Sequence, residues 1–370
     1  MKRTNAYVGL DVHKDSIAVA VADSERDSEV RFYGTIQNEI QALTSLMKRL
    51  SKAHKIIEVA YEAGPTGYCV YRHLAKLKYK CLVVAPSSVP KAPHNRIKND
   101  HRDAKSLARL LRAGELSSIW VPDEVHESIR DLLRSRHGCT DDLRKSKTRI
   151  KSFLLKYQRS YSGKSWTKKH RTWLANLKFE TKAQQITLQN HLNAIDQIQA
   201  RRDEIDAQLQ EIIPEWELSP QVINLQAFRG IGFLIAVTVV AEIGDFSRFS
   251  HPSNLMAFIG LIPGEHSSGP TVRSRGITKT GNVNVRKMLF EAAWNYSKRP
   301  KVGEWMLKHI PEGITQDIKD IAWKAQLRLH KRFWALSHKG KKSQVAITAV
   351  ARELVGFIWD VGFHTKPATA

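Results

Sequence analysis

The stretch Tyr7-Val8-Gly9-Leu10-Asp11-Val12, the turn at His13 to Asp15, and the run Ser16-Ile17-Ala18-Val19-Ala20-Val21-Ala22-Asp23 constrain this chain more than any other feature. A short apolar run carrying one carboxylate, a turn, and a second run of strand composition predict a β-hairpin that opens a sheet. Asp11 then sits inside that sheet. A lone carboxylate there is costly to bury unless it is paired or holds a metal, which raises the question of which other acids could converge on it.

Residues up to about 118 alternate strands and helices. Strand signals lie at 6–12, 16–23, 29–35, 55–62 and 79–85, and helical patterns at about 38–52, 65–77 and 102–113. Three strands before the first helix, then strand-helix-strand-helix, give an α/β order with a mixed sheet. That order resembles the ribonuclease H and RuvC-like nucleases.

Three further acids fall where the order makes them useful. Glu62 ends an apolar run and is followed at once by the turn Ala63-Gly64-Pro65-Thr66-Gly67, which aims it at a cleft on the sheet edge. Asn99-Asp100-His101-Arg102-Asp103 opens a helix, with Asp100 and Asp103 three apart on one face. Asp11, Glu62, Asp100 and Asp103 make a candidate cluster for divalent metal, in which two Mg²⁺ ions about 4 Å apart could activate a nucleophile and support a leaving oxygen. Each has a plainer reading: Asp100 as a helix cap, Asp103 as a first-turn acid favoured by the dipole, Glu62 as a surface residue at a strand end. His13, His94 and His101 lie near the acids and could coordinate metal or shuttle protons, but none has a partner at ligand spacing, and a surface or packing role is the plainer reading.

The formal net charge is +23, with 59 basic against 36 acidic residues. A surplus that large usually serves a polyanion, and nucleic acid is the default partner. Arg96 and Lys98 lie in a proline-broken basic loop, Arg102 just beyond it, and all suit a phosphate backbone. No window approaches the roughly eighteen apolar residues of a membrane span, so no membrane partner and a cytoplasmic location are expected. Cys69, Cys81 and Cys139 match neither a zinc pair nor a disulfide framework and read as buried small residues.

From about 127 to 213 the pattern is helical. Lys147, Lys151, Lys168 and Lys169 belong to a basic run nearly without acids after Asp142, an electrostatic track for RNA or DNA. Trp166, Trp173 and Tyr157, interleaved there, could stack on bases or simply pack. The helix at 182–213 carries Leu188, Ile195 and Leu209 on one row and Ile198, Ile205 and Ile212 on another. This is a coiled-coil seam, open to either an antiparallel hairpin or a dimer contact.

The last part begins near 219. Gly230 and Gly232 in Phe228-Arg229-Gly230-Ile231-Gly232 have the spacing of a helix-hairpin-helix, whose backbone N–H groups approach phosphate. Residues 263–282, with Arg273, Arg275 and Lys279, form a polar, basic, glycine-rich loop between helices, and Arg286 lies in the helix after it. A serine hydroxyl in that loop could attack a phosphodiester, or the loop could simply bind phosphate.

In their order, Gly9-Leu10-Asp11-Val12-His13-Lys14, Tyr61-Glu62-Ala63-Gly64, Asp100-His101-Arg102-Asp103-Ala104, Ser267-Ser268-Gly269 and Gly276-Ile277-Thr278-Lys279-Thr280-Gly281-Asn282 resemble an insertion-sequence transposase of the Piv-like DEDD class, the insertion sequence 110 family of bridge-RNA-guided recombinases. The resemblance covers nearly the whole chain. It implies a RuvC-like DEDD domain at 1–126, a basic helical and coiled-coil region at 127–218, and a helical C-terminal transposase domain at 219–370. It further implies a metal-binding tetrad of Asp11, Glu62, Asp100 and Asp103 with Mg²⁺ or Mn²⁺, and a nucleophilic serine at Ser268, with Ser267 as fallback. The implied activity is cut-and-rejoin of donor and target DNA through a phosphoserine intermediate, guided by a non-coding bridge RNA. A homo-oligomer, dimer or tetramer, associated with a prokaryotic nucleoid, could share its site between subunits.

Three rivals stand beside it. A metal-dependent nuclease of junction-resolvase type needs the tetrad and no serine. An actin-like ATP-binding fold needs glycine-rich phosphate loops with strand flanks in its second half. A non-catalytic RNA-binding protein needs only the basic middle.

Overall fold

The computed structural model describes residues 4–25, 28–90, 99–265, 274–304, 308 and 310–367. The chain divides into two compact units, Met1–Pro122 and Asp123–Ala370.

The first unit is α/β. Its strands β1 (Thr4–Val12), β2 (Ser16–Asp23), β3 (Arg31–Gln37), β4 (His54–Glu62) and β5 (Lys80–Val84) form one sheet in the order β3-β2-β1-β4-β5. β1 to β3 pair antiparallel as a meander, and β4 and β5 add parallel to β1. Helices α1 (Ile40–Ala53), α2 (Cys69–Lys76) and α3 (Asp100–Ala113) supply the connections. Alternation along β1 decides what each face holds. Ala6, Val8 and Leu10 are fully buried with Leu43, Leu46 and Met47 of α1 and Leu74 of α2, whereas Gly9 points at α3.

That contact is close. A Cβ on Gly9 would lie within 2.5 Å of Ala108 N and nearer still to Ala104 O. Ala18, Ala20 and Ala22 of β2 complete a floor of small residues with Ala104 and Ala108. Small side chains on both partners let α3 lie directly on the sheet, and its first turn then reaches the carboxyl end of β1.

The second unit is mostly helical. Helices α4 (Glu124–Lys156), α5 (Lys168–Asn176) and α6 (Lys182–Ile212) precede α7 (Ser219–Leu225), α8 (Phe233–Ile243), α9 (Pro252–Ile259), α10 (Val283–Ala293), α11 (Gln316–His338) and α12 (Ser343–His364). A capping box starts α6, with Thr181 accepting from Gln184 N while the Gln184 side chain accepts from Thr181 N. The seam on α6 packs against α4 of the same chain. Arg136 pairs with Asp206 at 2.6 Å and Phe153 meets His191, so the two helices run antiparallel. Trp166 and Trp173 pack around His170 and a cluster that includes Leu143, Ile150 and Ile195.

The long loop read between α9 and α10 contains two short strands, β6 (Pro263–Glu265) and β7 (Ser274–Ile277), paired antiparallel. Cys69 is exposed rather than buried, while Cys139 is buried and accepts from Arg201 Nε at 3.2 Å. Among the described residues, no helix is long and apolar enough to cross a membrane.

Candidate active site

The site is built from the end of β1 upward. Asp11 lies two residues beyond Gly9, so strand parity puts its carboxylate on the α3 face, and the pairing of Leu10 with Tyr61 sets Glu62 on the neighbouring strand end. The turn after β1 is pinned by Asn38, whose amide donates to His13 O at 2.7 Å, and by His13 N donating to Ser16 O. His13 is thereby turned back over the strand end. Its Nε2 lies 3.2 Å from Asp11 Oδ2 and 3.3 Å from Asp100 Oδ1.

Helix α3 begins where it can supply that second acid. Asn99 is its N-cap, accepting from Arg102 N at 2.8 Å. With the cap role taken by Asn99, the Asp100 carboxylate is left for His13. Asp103, half-buried in the same turn, is close enough for its charge to act on Asp11.

Burial raises the pKa of Asp11; the charge and hydrogen bond of His13 lower it, and the charges of Asp100 and Asp103 raise it again, so the net direction is up. Like charges crowd here with one imidazole between them. Ligand atoms of Asp11, His13 and Asp100 all lie within 4.8 Å of one another. That spread matches the span across the coordination shell of a divalent cation with bonds of roughly 2.0–2.6 Å, and two carboxylates are donors that hard cations take. The residues fit such an ion. Glu62 and Asp103 stand outside this closest set; Glu62 lines a cleft of about 880 Å³ together with Asp11, His13, Asn38 and Gly64. His101 packs edge-on against Phe32 at 4.1 Å.

In the second unit, the segment after β7 is held just as tightly. Gly260 and Gly281 have φ of +75° and +83°, and a Cβ on either would collide with backbone, Thr280 O and Phe258 O respectively. Arg286 Nη1 donates to Ile259 O at 2.7 Å and to Thr280 O at 3.2 Å. Asn282, the N-cap of α10, donates its amide to Glu242 Oε2 at 2.7 Å, and Arg130 and Arg134 pair with the same carboxylate. Burial alone would raise the pKa of Glu242, but the Arg134 hydrogen bond, the charges of Arg130 and Arg134 and the Asn282 amide reverse it, and the net direction is down.

Sequence reasoning set His13 down as a surface or packing residue and passed over Glu242. Glu242 is the lone charge in Phe233-Leu-Ile-Ala-Val-Thr-Val-Val-Ala-Glu242-Ile243, the same signature that singled out Asp11. His13 carried no such signal, because its partners come from β1 and from a helix far along the chain.

Of the residues read as contacting nucleic acid, Arg102, Lys151, Lys168, Lys169 and Lys279 are exposed. Lys147 sits over the Trp166 ring at 5.2 Å. Gly230, at φ +84°, lies against Ala292 O and Asn295, and Gly232 caps α8. Arg96, Lys98, His94, Ser267, Ser268 and Arg273 lie outside the described residues, and for Arg275 only the backbone in β7 is described.

Comparisons with known proteins agree with one another. Residues 8–158 match a transposase model of the DEDD, IS110 type, and residues 223–307 match the transposase IS116/IS110/IS902 family. The chain is 43% identical over 366 residues, 99% of its own length and 90% of the relative's, to y4qE of Sinorhizobium fredii, which carries the name transposase. It is 32% identical over 350 residues, 92% of its length and 99% of the relative's, to the transposase for insertion sequence element IS1533 of Leptospira borgpetersenii. With whole-length similarity to such relatives and two family matches in chain order, the protein belongs to the IS110 family of transposases, enzymes that cut and rejoin DNA in transposition.

Proposed function

We propose that this transposase joins donor and target DNA through a phosphoserine intermediate, with its N-terminal domain a RuvC-like DEDD nuclease fold, and that it works as a homo-oligomer directed by a bound non-coding bridge RNA. The convergence of Asp11 and Asp100 on His13, at a cleft that Glu62 also lines, carries the reading. When bound, Mg²⁺ or Mn²⁺ supplies a Lewis acid for a phosphodiester oxygen. Asp11 and Asp100 are its holders, Glu62 and Asp103 complete the tetrad, and His13 keeps the two nearest carboxylates together before loading.

The hydroxyl is assigned to Ser268, with Ser267 as fallback. Its Oγ attacks phosphorus while the bond to one deoxyribose oxygen breaks, the hydroxyl proton passes through solvent to that leaving oxygen, and the new phosphoserine ester keeps a phosphate ester available for strand joining. Exposed Arg102, Lys151, Lys168 and Lys169 support the DNA and RNA backbones. The RNA partner rests on the motif resemblance and on the surplus of 59 basic over 36 acidic residues.

The test is covalent capture. Protein purified with its bound RNA, given donor DNA and Mg²⁺, should yield protein-linked DNA that survives denaturation, and Ser268→Ala should yield none. Metal-dependent cutting that persists without any adduct in a Ser267→Ala, Ser268→Ala double variant would install the junction-resolvase type of nuclease in its place. RNA that co-purifies should map next to the gene; a random cellular population defeats the guided part of the reading.

A further inference from the structure

A groove of about 740 Å³ opens in the second unit where α11 and α12 pack together, beside β7. Its walls are apolar, with Met256 from α9, Ile277 from β7, Phe290 from α10 and Val345 from the first turn of α12. Lys279, Arg328, Arg332 and Arg352 make it cationic. One acid stands among them. Arg328 Nε donates to Glu353 Oε2 at 2.9 Å, and Arg332 Nε lies 3.0 Å from Glu353 Oε1.

A single carboxylate thus orients two guanidiniums side by side without neutralising the site. The two side chains are 65% and 47% exposed, so both offer N–H groups to the solvent side of the groove. Paired guanidiniums suit a phosphate, which they bind with several N–H donors at once.

The geometry points to a seat for one unpaired nucleotide of a nucleic-acid strand, its base against the apolar walls and its phosphate on Arg328 and Arg332. A duplex presents phosphates outward and keeps its bases stacked, and would leave the apolar walls unused. An unpaired nucleotide carries a flat apolar face and an anion on one small unit, and the groove volume is that of a small-ligand pocket, roughly 300–1,000 Å³. The seat rests on the reading of this unit as one that handles cut strands, since β7 leaves the segment that contains Ser268. It requires neither metal nor the serine to bind, so the two ideas fail separately.

The test uses the full-length protein and a short fluorescent single strand, DNA in one arm and RNA in the other, with the matching duplex as competitor. Val345→Glu puts an acid on an exposed position in the first turn of α12, where a helix tolerates it. Val125→Glu, exposed to 60% against 53% for Val345 and likewise in the first turn of its helix, α4, is the matched control. Val345→Glu should weaken single-strand binding about tenfold, while the control and duplex binding change little. The arm that responds identifies DNA or RNA. Equal losses in the two variants, or a loss confined to duplex, overturn the seat. As a second measurement, a strand with a photoreactive base should crosslink to the peptides of Phe290 or Met256 in the unmodified protein, and crosslinks mapping elsewhere overturn it as well.

Discussion

At the residue scale, Asp11 and Asp100 share one imidazole, that of His13. Asp11 bears a pKa raised by burial and by two neighbouring acids, so the cation-free cluster is under electrostatic strain that His13 only partly relieves. Divalent cation should therefore raise the melting temperature of the protein through preferential binding to the folded state. Asp11→Asn should remove that increase, leave the metal-free protein at least as stable, and lower DNA cleavage by about a hundredfold or more. Differential scanning fluorimetry with Mg²⁺, Mn²⁺ and EDTA measures the first two effects, and a cleavage assay the third.

Glu242 behaves in the opposite sense. Its folded pKa is depressed, so its contribution is present above the ordinary carboxylate pKa and is lost as pH falls through that value and below. Glu242→Ala leaves Arg130 half-stranded at 15% exposure and unties Asn282, and should cost about 3–5 kcal/mol by denaturant unfolding. The variant should also flatten the acid limb of the stability profile.

At the element scale the placement of α3 decides whether the acids meet. Gly9 admits the helix backbone, and Asn99 starts the helix one residue before Asp100. Gly9→Ala should push α3 off the sheet and cost about 1–3 kcal/mol by chemical denaturation, with a larger proportional loss of cleavage because Asp100 moves away from His13. Much of this element was readable beforehand: the strand periodicities, the turn after Glu62 and the acids of the α3 turn all stood in the sequence. Asp100 as a cap was not separable from Asn99 by composition, since both side chains accept N-terminal amides equally well. The β6–β7 pair was hidden for a different reason, because strands of three and four residues are too short to show a period. The α6 seam, by contrast, was plain in its heptads, but only the tertiary structure showed that it packs antiparallel on α4 of the same chain.

For the whole molecule, a formal charge of +23 makes binding to nucleic acid strongly salt-dependent. If the protein neutralises about 6–10 phosphates, its affinity for non-specific DNA should fall roughly 10³–10⁵-fold between 50 and 200 mM salt, as fluorescence anisotropy can follow. A weak dependence would mean that the basic helices are mostly occupied by internal pairs, as Arg136, Arg171 and Arg201 already are.

By itself the sequence determined the order of strands and helices in the first unit, the acidic and serine motifs and their resemblance to a transposase family, because each of these is written in residues near one another along the chain. Only the tertiary structure decided that Asp11 and Asp100 share His13, that Asn99 rather than Asp100 caps α3, and that Glu242 ties down the segment after β7. Those contacts depend on strand parity, register and the close approach of small residues, which join positions some ninety or forty residues apart and leave no local periodicity to read.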